Sequence, residues 1–321
     1  MTTHIDIIIV NWNSGKQLRQ CMASIEAADR GDFTLSRVCV VDNASQDDSL
    51  NEIEQYELPI QIIHNDENKG FAAACNQGVR DGQADCLLFL NPDTKLFDNS
   101  LKLPIAFVER PESERVAIVG VQLVDDSGIV AHTCARFPTP GRFFSKMLGL
   151  DRLFPKLFPS HFMKEWDHSE TRVVDHVMGA FFLVRRSVFE SLSGFDEHFF
   201  VYLEDLDFSY RAYQAGWTSV YLATAQAYHA GGGSSRQIKA RRLFYSLRSR
   251  ILYGYKHFGF FPATLVTLGT MLIEPFSRLI WAGLHRSLQE ASHTIHAYGL
   301  LFLALPSILR IACQGKVEAK R

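Results

Sequence analysis

The sequence predicts an α/β protein with a mostly parallel, doubly wound sheet flanked by helices. Three continuous apolar segments, Ile5–Asn13, Val38–Asp42 and Cys86–Leu90, have the pattern of buried parallel strands. Helical patterns alternate with these strands over Lys16–Ala27, Asp47–Glu57 and Gly70–Arg80. Alternation of strand and helix is typical of a parallel sheet with crossover helices.

Each of the three strands delivers polar residues at its carboxyl end. The first ends in NWN, the second in DNAS and the third in NPDT. Ligands of open α/β sheets bind outside the carboxyl ends of the strands. We therefore expect a ligand site at this edge of the sheet.

The composition is that of a globular enzyme. The chain has 321 residues, of which 47% are hydrophobic and 21% charged, so it can bury a core and is expected to fold. Its 6 cysteines show no C-x-x-C spacing, which indicates reduced, buried thiols in a cytosolic protein. The opening MTTHID lacks a basic and an apolar region, so we expect no signal peptide there.

Charge is distributed unevenly along the chain. Residues 1–207 contain 19 Lys/Arg and 32 Asp/Glu, whereas residues 208–321 contain 14 and 3. No acid occurs between Asp207 and Glu274, and the basic residues there are Arg211, Arg236, Lys239, Arg241, Arg242, Arg248, Arg250 and Lys256. Such a segment should attract phosphates or an anionic membrane surface. Nucleic acid is not expected as a partner, because no nucleic-acid motif accompanies these charges.

The densest cluster of carboxylates follows an aromatic run in GFDEHFFVYLEDLDF, residues 194–208. Acids at a helix start can simply cap the helix, but an apolar wall also raises carboxyl pKa values toward the range useful for proton transfer. The pattern predicts a helix over Glu204–Ala215 that ends at Gly216. On it Leu206, Tyr210 and Tyr213 should face the core, and Asp205 and Ser209 a cleft.

The least regular segment is Arg136–Arg172, which contains four prolines and many aromatic residues. It is interpreted as an insertion at the sheet edge that could gate the substrate. Strand patterns return after it at Val173–Val177 and Phe181–Arg185.

Seven motifs together resemble a known family. In order they are VNWN, VDNAS, NKGFAAACNQG, LNPDT, GAFFLVRR, GFDEHFFVYLEDLDFSYR and YHAGGGSS. They resemble the family-two inverting glycosyltransferases with the GT-A fold, and most of all the bacterial rhamnosyltransferase branch, over roughly residues 5–257. The resemblance implies transfer of a sugar from a nucleoside diphosphate donor with inversion at the anomeric carbon.

The resemblance implies a donor site at the first strand ends. Asp42 matches the acid that contacts the nucleobase, with Asn11 and Asn13 in the same pocket. Asp42 could instead be a turn residue, because Asp-Asn-Ala-Ser is also favourable turn chemistry. Gly70 would let the chain approach the nucleotide, although it could equally start a helix, and Asn76 is the other donor candidate of this motif.

A divalent metal, Mg²⁺ or Mn²⁺, is implied by the same resemblance. Asn91-Pro92-Asp93 stands where the family has Asp-x-Asp, so Asp93 is the main ligand expected and His229 the second. The ion would neutralise the leaving diphosphate. Asn91 in place of the first acid departs from the family pattern, which puts strict metal dependence in question.

Asp205 matches the general base of the family, which takes the proton of the acceptor hydroxyl. Glu204 and Asp207 would orient the acceptor or hold neighbouring backbone. Arg248, with Tyr245, could reach donor or acceptor phosphates, although this chain has Arg248-Ser249 where the family often has Arg-Asn.

The resulting hypothesis is an inverting, metal-dependent glycosyltransferase of cell-surface polysaccharide synthesis. Its donor would be dTDP-L-rhamnose, and its acceptor a saccharide, either free or linked to a polyprenyl diphosphate. Alternatives are another donor (UDP-hexose or UDP-galactofuranose), a sugar nucleotidyltransferase, and a non-catalytic saccharide-binding protein. A nucleotidyltransferase usually has a Gly-rich, basic N-terminal loop, whereas here the first strand continues into NWNSG.

The expected organisation is a GT-A domain over residues 1–235, with a nucleotide-binding half to about 125 and an acceptor half after it, and a basic, apolar helical region over 236–321. Phe258–Ile273 and Ala297–Leu309 are apolar but shorter than the roughly 20 residues that span a bilayer, and Pro262 and Pro306 are expected to interrupt them. Helices lying in the membrane interface are favoured over core helices, because basic residues precede them. We therefore expect a cytoplasmic protein, peripheral on the inner membrane.

Overall fold

The computed structural model describes residues 2–231 and 239–318, and side chains to residue 313. The described residues form two compact units. The first contains residues 2–137, 162–197 and 204–231, and the second contains 138–161, 198–203 and 239–318. The domain boundary expected at residue 235 and the end of YHAGGGSS lie outside the described residues.

The first unit is built on a nine-stranded sheet. Its strands are β1 (His4–Asn11), β2 (Thr34–Asp42), β3 (Ile60–His64), β4 (Cys86–Leu90), β5 (Thr94–Leu96), β6 (Val116–Val124), β8 (Arg172–Val174), β10 (Phe181–Arg185) and β11 (Thr218–His229). They are arranged in the order β3-β2-β1-β4-β10-β6-β11-β5, and β8 pairs with β11. A separate ribbon pairs β7 (Cys134–Ala135) with β9 (His176–Val177). Strands β3, β2, β1 and β4 run parallel, and the antiparallel β10 joins them to the mixed half.

Both faces of the sheet are covered, which explains why β1 is apolar throughout. Ile5, Ile7 and Ile9 pack into one cluster with helix α1 (Lys16–Ala27). Ile8 and Val10 pack into the opposite cluster with α2 (Phe71–Val79), α6 (Arg186–Ser191) and α7 (Glu204–Gln214). A strand buried on two faces needs no polar alternation. The predicted parallel sheet flanked by helices is confirmed.

The predicted helix over Asp47–Glu57 is wrong, because only a short 3₁₀ turn forms at Ile53–Gln55. The Asp47 carboxylate accepts hydrogen bonds from the backbone N–H and the hydroxyl of Ser49 and from Gly15 N–H. Glu52 then adopts a left-handed φ of 63°. Side-chain bonds to local backbone and a left-handed residue both compete with helix formation.

Two further details correct the sequence-based expectations. Helix α7 buries Leu206, but Tyr213 is 61% exposed, so its expected place in the core is wrong. Five of the six cysteines are buried free thiols, whereas Cys313 is exposed.

The second unit is helical. It contains α4 (Pro140–Met147), α5 (Leu150–Leu153), α8 (Lys239–His257), α9 (Phe260–Leu272), α10 (Glu274–Leu284) and α11 (Leu288–Glu318). The remaining helix, α3 (Lys102–Val108), lies in the first unit. Part of the irregular segment is therefore ordered as α4 and α5. Helix α4 packs on α9, where Gly269 lies against Phe144 and Met147. Residues 138–161 of the insertion are therefore a packed part of the second unit, whereas its remaining residues belong to the first unit.

A buried ion-pair network holds the second unit together. The Glu274 carboxylate pairs with Arg250 of α8 and with Arg278, whose Nη2 lies 2.7 Å from Glu274 Oε1. Glu274 and Arg250 are nearly inaccessible to solvent. Removing one partner would leave an unpaired buried charge, so this network makes the packing of α8 against α10 specific.

Candidate active site

The parallel pairing of β1 with β2 places Asn11 directly beside Asp42. Asn11 Nδ2 donates to Asp42 Oδ1 at 2.8 Å and to the hydroxyls of Ser45 and Ser49. Asp42 Oδ2 accepts from Ser45 N–H at 3.2 Å. Both carboxylate oxygens therefore stiffen the turn after β2, which brings these residues together at the strand ends as predicted.

Asn13 lies against the same turn. Its backbone adopts φ 49°, its N–H donates to Ser45 Oγ, and its Oδ1 accepts from Gln46 N–H at 2.7 Å. Asn11, Asn13 and Asp42 thus form one polar cluster through Ser45. The cluster supports both interpretations of Asp42, because a stiff turn is also what a nucleobase site requires.

A residue that the sequence analysis missed links this turn to the NKGF motif. Asn43 is buried, and its amide donates to the carbonyl of Gly70 at 3.1 Å while its Oδ1 accepts from Asn65. Gly70 has φ 88° at the start of α2, a conformation that favours glycine. The position of Asn43 in VDNAS, directly after a predicted strand, was the sequence signal that could have identified it.

Asn76 lies elsewhere in the first unit. Its side chain donates to the Phe195 carbonyl at 2.8 Å and to Glu197, and it accepts from Phe195 N–H. These contacts fasten α2 to the start of GFDE. Its donor-binding role stays a prediction, and its contacts favour a structural role.

Asp93 and His229 are brought together by the pairing of β5 with β11, in which Thr94 faces His229. Asp93 Oδ1 lies 3.3 Å from His229 Nε2, and both side chains are largely buried. No group of three or more His, Cys, Asp or Glu side chains that could hold a metal occurs in the described part of the chain. The pair supplies one carboxylate and one imidazole, which fits an ion that takes its other ligands from a diphosphate and water.

Asp205 lies in the first turn of α7 and is held at both oxygens. Gly179 N–H donates to Oδ2 at 2.8 Å, and Leu206 N–H donates to Oδ1 at 2.8 Å. His176 Nε2 lies 3.5 Å from Oδ2. The side chain is 18% exposed, so it is fixed in place but still accessible to a substrate.

The backbone of Gly179 and Ala180 joins this carboxylate to the Asp93 turn. The Ala180 carbonyl accepts from Asn91 N–H at 3.0 Å and from the Thr94 hydroxyl at 3.3 Å. Both residues belong to the GAFFLVRR motif, for which the sequence predicted no individual roles. The hydrogen bonds connect residues more than 80 positions apart, which a local pattern does not reveal.

The two neighbouring acids differ from Asp205. Asp207 is fully buried and pairs with Arg211 at 2.8 Å, and Arg211 donates to the carbonyls of Leu192 and Gly194. This supports the backbone-holding alternative for Asp207 and not contact with an acceptor. Glu204 is also buried, and its Oε2 has no hydrogen-bond partner among the described residues. Burial, together with the charges of Asp205 and Asp207, raises the pKa of Glu204 well above its ordinary value.

Arg248 lies in the second unit, where it holds the segment that leads into α7. It donates to the His198 carbonyl at 2.8 Å, and the Ser249 hydroxyl donates to the Val201 carbonyl at 2.9 Å. Burial lowers the pKa of Arg248. Tyr202 and Leu203 follow with φ 69° each, a strained conformation for bulky residues that is concentrated at functional sites. Contact of Arg248 with phosphates stays a prediction.

The family model for glycosyl transferase family 2 matches residues 6–193, more than half of the chain. The chain belongs to glycosyltransferase family 2. It is therefore a glycosyltransferase, as the motifs predicted. Its rhamnosyltransferase-like character is confirmed by the relatives that follow.

An N-acetylglucosaminyl-diphospho-decaprenol L-rhamnosyltransferase of Mycobacterium tuberculosis is 26% identical over 83% of this chain and 89% of its own length. The rhamnosyltransferase WbbL of Escherichia coli is 30% identical over 58% of this chain and 68% of its own length. The mannosyltransferase PcManGT of Pyrobaculum calidifontis, solved with GDP-Man and Mn²⁺, is 14% identical, with a TM-score of 0.54 over 100% of this chain and 81% of its own. That structure confirms the GT-A fold.

Glu204 makes the stability of this glycosyltransferase depend on pH. Its pKa is raised in the folded state, so the folded protein retains a proton that the unfolded chain releases above the ordinary value of 4.5. The free energy of unfolding should therefore fall as the pH rises from that value toward the folded-state pKa. Glu204→Gln removes this term, so thermal melts should show a variant-minus-wild-type difference in Tm that grows with pH. A difference that stays constant or shrinks from pH 5 to about pH 8 would contradict the neutral form of Glu204.

Proposed function

We propose that this protein is an inverting, metal-dependent glycosyltransferase that moves L-rhamnose from dTDP-L-rhamnose to a saccharide carried on a polyprenyl diphosphate. The observation that carries the proposal is the connection of Asp205 to the Asp93–His229 pair through two consecutive residues, Gly179 and Ala180. A base and a diphosphate-binding pair held on one backbone segment are what direct displacement requires. The name of the mycobacterial relative supports both the sugar and the lipid carrier.

The reaction follows from the placement of these groups. Asp205 takes the proton of the acceptor hydroxyl while that oxygen attacks the anomeric carbon, and the bond from this carbon to the diphosphate breaks with its electrons on the leaving oxygen. Attack opposite the leaving group inverts the anomeric centre. Because Gly179 and Leu206 fix both oxygens of Asp205, little reorientation of the base is needed during the transfer.

Asp93 and His229 would hold the divalent ion, which supplies positive charge to the leaving diphosphate. Carboxylate oxygen suits Mg²⁺ and Mn²⁺, whereas imidazole is a ligand of transition metals, so the mixed pair favours Mn²⁺. The polar cluster of Asn11, Asn13 and Asp42 would receive the nucleoside. Glu204 is neutral and buried beside the proposed base, so it adds no negative charge there.

The exposed apolar surface of the second unit supports attachment to a membrane. The segments Phe260–Leu284 and Leu288–Cys313 are each long and apolar enough to span a bilayer, which corrects the expectation that both were too short. Pro262 lies in the first turn of α9, where proline is tolerated, so it does not end the helix. Only 33% and 17% of the two apolar windows are buried, so these are not ordinary core helices.

An orientation within the membrane interface fits the charges better than a spanning one. Glu274 lies near the middle of Phe260–Leu284, and its carboxylate pairs both with Arg278, one helical turn further along, and with Arg250 of the basic helix α8. A spanning orientation would place these charges near the bilayer centre, where charged side chains are costly even when paired. Lys256, Arg241 and Arg242 are exposed on α8 and could meet anionic headgroups. The protein would then be cytoplasmic and peripheral on the inner membrane.

Asp205→Asn should reduce turnover by about 10²–10⁴-fold, the usual contribution of a positioned general base, and leave nucleotide-sugar binding nearly unchanged. Two reactions are measured, transfer to a polyprenyl-diphosphate saccharide and hydrolysis of the donor. Each is measured with dTDP-L-rhamnose, UDP-hexoses and UDP-galactofuranose, so the same experiment identifies the donor. Glu204→Gln is the matched comparison, and it should lose much less because Glu204 is already neutral. Equal losses of turnover in the two variants would contradict the choice of Asp205 as the base. If the wild-type protein turned over none of these donors, the proposed transfer reaction would be refuted.

Removal of the metal should abolish transfer. Asp93→Ala and His229→Ala should each weaken nucleotide-sugar binding in the presence of Mn²⁺ by about 10-fold or more, measured by titration calorimetry. Asn91→Asp restores the acid found in the family motif, so it should lower the Mn²⁺ concentration needed for half-maximal transfer. Full transfer in excess chelator would show that the Asp93–His229 pair has another purpose.

The protein should co-sediment with phosphatidylglycerol vesicles more strongly than with phosphatidylcholine vesicles. The triple variant Phe261→Ser, Leu265→Ser, Leu268→Ser removes exposed apolar side chains from α9 and should weaken binding at least about 10-fold. The control Ile129→Ser, Val173→Ser removes exposed apolar side chains from the first unit and should bind like the wild type. Equal binding to both lipids would refute the electrostatic contribution, and a wild-type protein that stays in the supernatant would refute membrane attachment.

A further inference from the structure

His176 is a buried histidine that the resemblance does not use. It lies in β9, two residues after Val174 of β8, and its ring faces helix α7. Its Nδ1 lies 3.0 Å from Ser209 Oγ, and its Nε2 lies 3.5 Å from Asp205 Oδ2. The acids that act on its ring are Asp205 and Asp175. The ring therefore bridges the proposed base and the serine one helical turn further along α7.

The hydrogen bonds of Ser209 determine which nitrogen of His176 carries the proton. The Ser209 hydroxyl has one hydrogen, and it donates this hydrogen to the Asp205 carbonyl at 2.9 Å. Ser209 Oγ can then only accept from His176, so Nδ1 carries the proton. Burial lowers the pKa of His176, although both neighbouring acids oppose this, so the ring is neutral near pH 7. Nε2 then carries a lone pair.

This tautomer leaves a lone pair of His176 opposite a carboxylate oxygen. No hydrogen bond joins Nε2 to Asp205 Oδ2 at 3.5 Å. A proton that reaches Asp205 changes this, because the carboxyl O–H could then donate to Nε2. The contact is favourable only after the base has taken its proton, which is the condition for accelerating the chemical step and not merely substrate binding.

We infer that His176 is a positioning residue that stabilises the protonated form of Asp205 during transfer. This inference rests on the proposed role of Asp205 as the base. In the reaction the acceptor O–H bond breaks, its proton binds to the Asp205 carboxylate, and the acceptor oxygen bonds to the anomeric carbon as the nucleoside diphosphate leaves with the electrons of the broken bond. The new carboxyl O–H of Asp205 then donates to His176 Nε2. Ser209 keeps the ring in the required tautomer, and Gly179 N–H orients Oδ2 toward it.

Two substitutions at His176 separate this role from packing. The Asn side chain can place its amide where Nδ1 lies and retain the bond to Ser209, but it has no atom at the position of Nε2. The Gln side chain can place a carbonyl oxygen there. His176→Asn should lower kcat about 10-fold, the usual contribution of one hydrogen bond, with an unchanged KM for the nucleotide sugar, and His176→Gln should recover part of this loss. The acidic limb of the pH dependence of kcat should move to lower pH in the Asn variant.

The control for loss of a buried ring is His168→Gln. His168 is fully buried in the same unit, where its ring contacts the Trp166 carbonyl and Cys134 N–H. This variant should melt at a lower temperature with the wild-type pH profile. An independent readout is ¹⁵N NMR of histidine-labelled protein, in which the His176 signal, identified by its absence from His176→Gln, should show a proton on Nδ1.

The kinetic probe is turnover of dTDP-L-rhamnose with Mn²⁺, or of whichever nucleotide sugar the donor panel selects. Normal kcat and pH profile in His176→Asn, or a proton on Nε2 in the NMR spectrum, would overturn the role of His176 while the proposed function stands. If Asp205→Asn itself retained transfer, the base assignment and this inference would both fall. The two failures are therefore distinguishable.

Discussion

The backbone of Gly179 and Ala180 ties the parts of the candidate site together. Gly179 N–H orients Asp205, and the next carbonyl accepts from Asn91 and Thr94 on either side of Asp93. A Cβ at residue 179 would lie 2.8 Å from Asp205 Oδ2, closer than side-chain atoms approach. A residue larger than glycine at this turn would therefore have to displace the Asp205 carboxylate, the proposed base.

Much of this arrangement was predictable from the sequence, because it depends on local patterns. The apolar runs identified β1, β2 and β4, and parallel pairing then forced Asn11 and Asp42 to the same edge. The motif resemblance identified Asp93 and His229, and the pairing of β5 with β11 brings them together. The positions of strand ends can be predicted in this way, because the alternation of side chains and the location of the ligand-binding edge both follow from the backbone of the sheet.

The rest depends on contacts between distant segments, which a local pattern cannot show. The acidic run at residues 204–207 has three members of similar sequence context, yet Arg211 neutralises Asp207, Glu204 is left without a partner at Oε2, and Asp205 meets Gly179. The same applies to His176, because its proposed role depends on the hydrogen bonds that Ser209 makes with the His176 ring and with the Asp205 carbonyl. The failed helix over Asp47–Glu57 has a different cause, because there side-chain bonds to local backbone outweighed helical periodicity.

The charge of the chain explains why cations matter to its proposed chemistry. Residues 1–207, which hold the polar cluster of Asn11, Asn13 and Asp42 together with Asp93 and Asp205, carry 13 more acids than bases. A diphosphate approaching this surface meets repulsion, and ionised acids beside the base would strengthen it.

Two features reduce this repulsion without a basic side chain: Asn91 stands where an acid is usual, and burial keeps Glu204 protonated. A divalent ion at Asp93 and His229 would supply the remaining positive charge, and the basic residues of α8 would be left for the proposed membrane surface. Because Arg250 is paired with Glu274, that proposed attraction to lipid would depend on the exposed residues Arg241, Arg242 and Lys256.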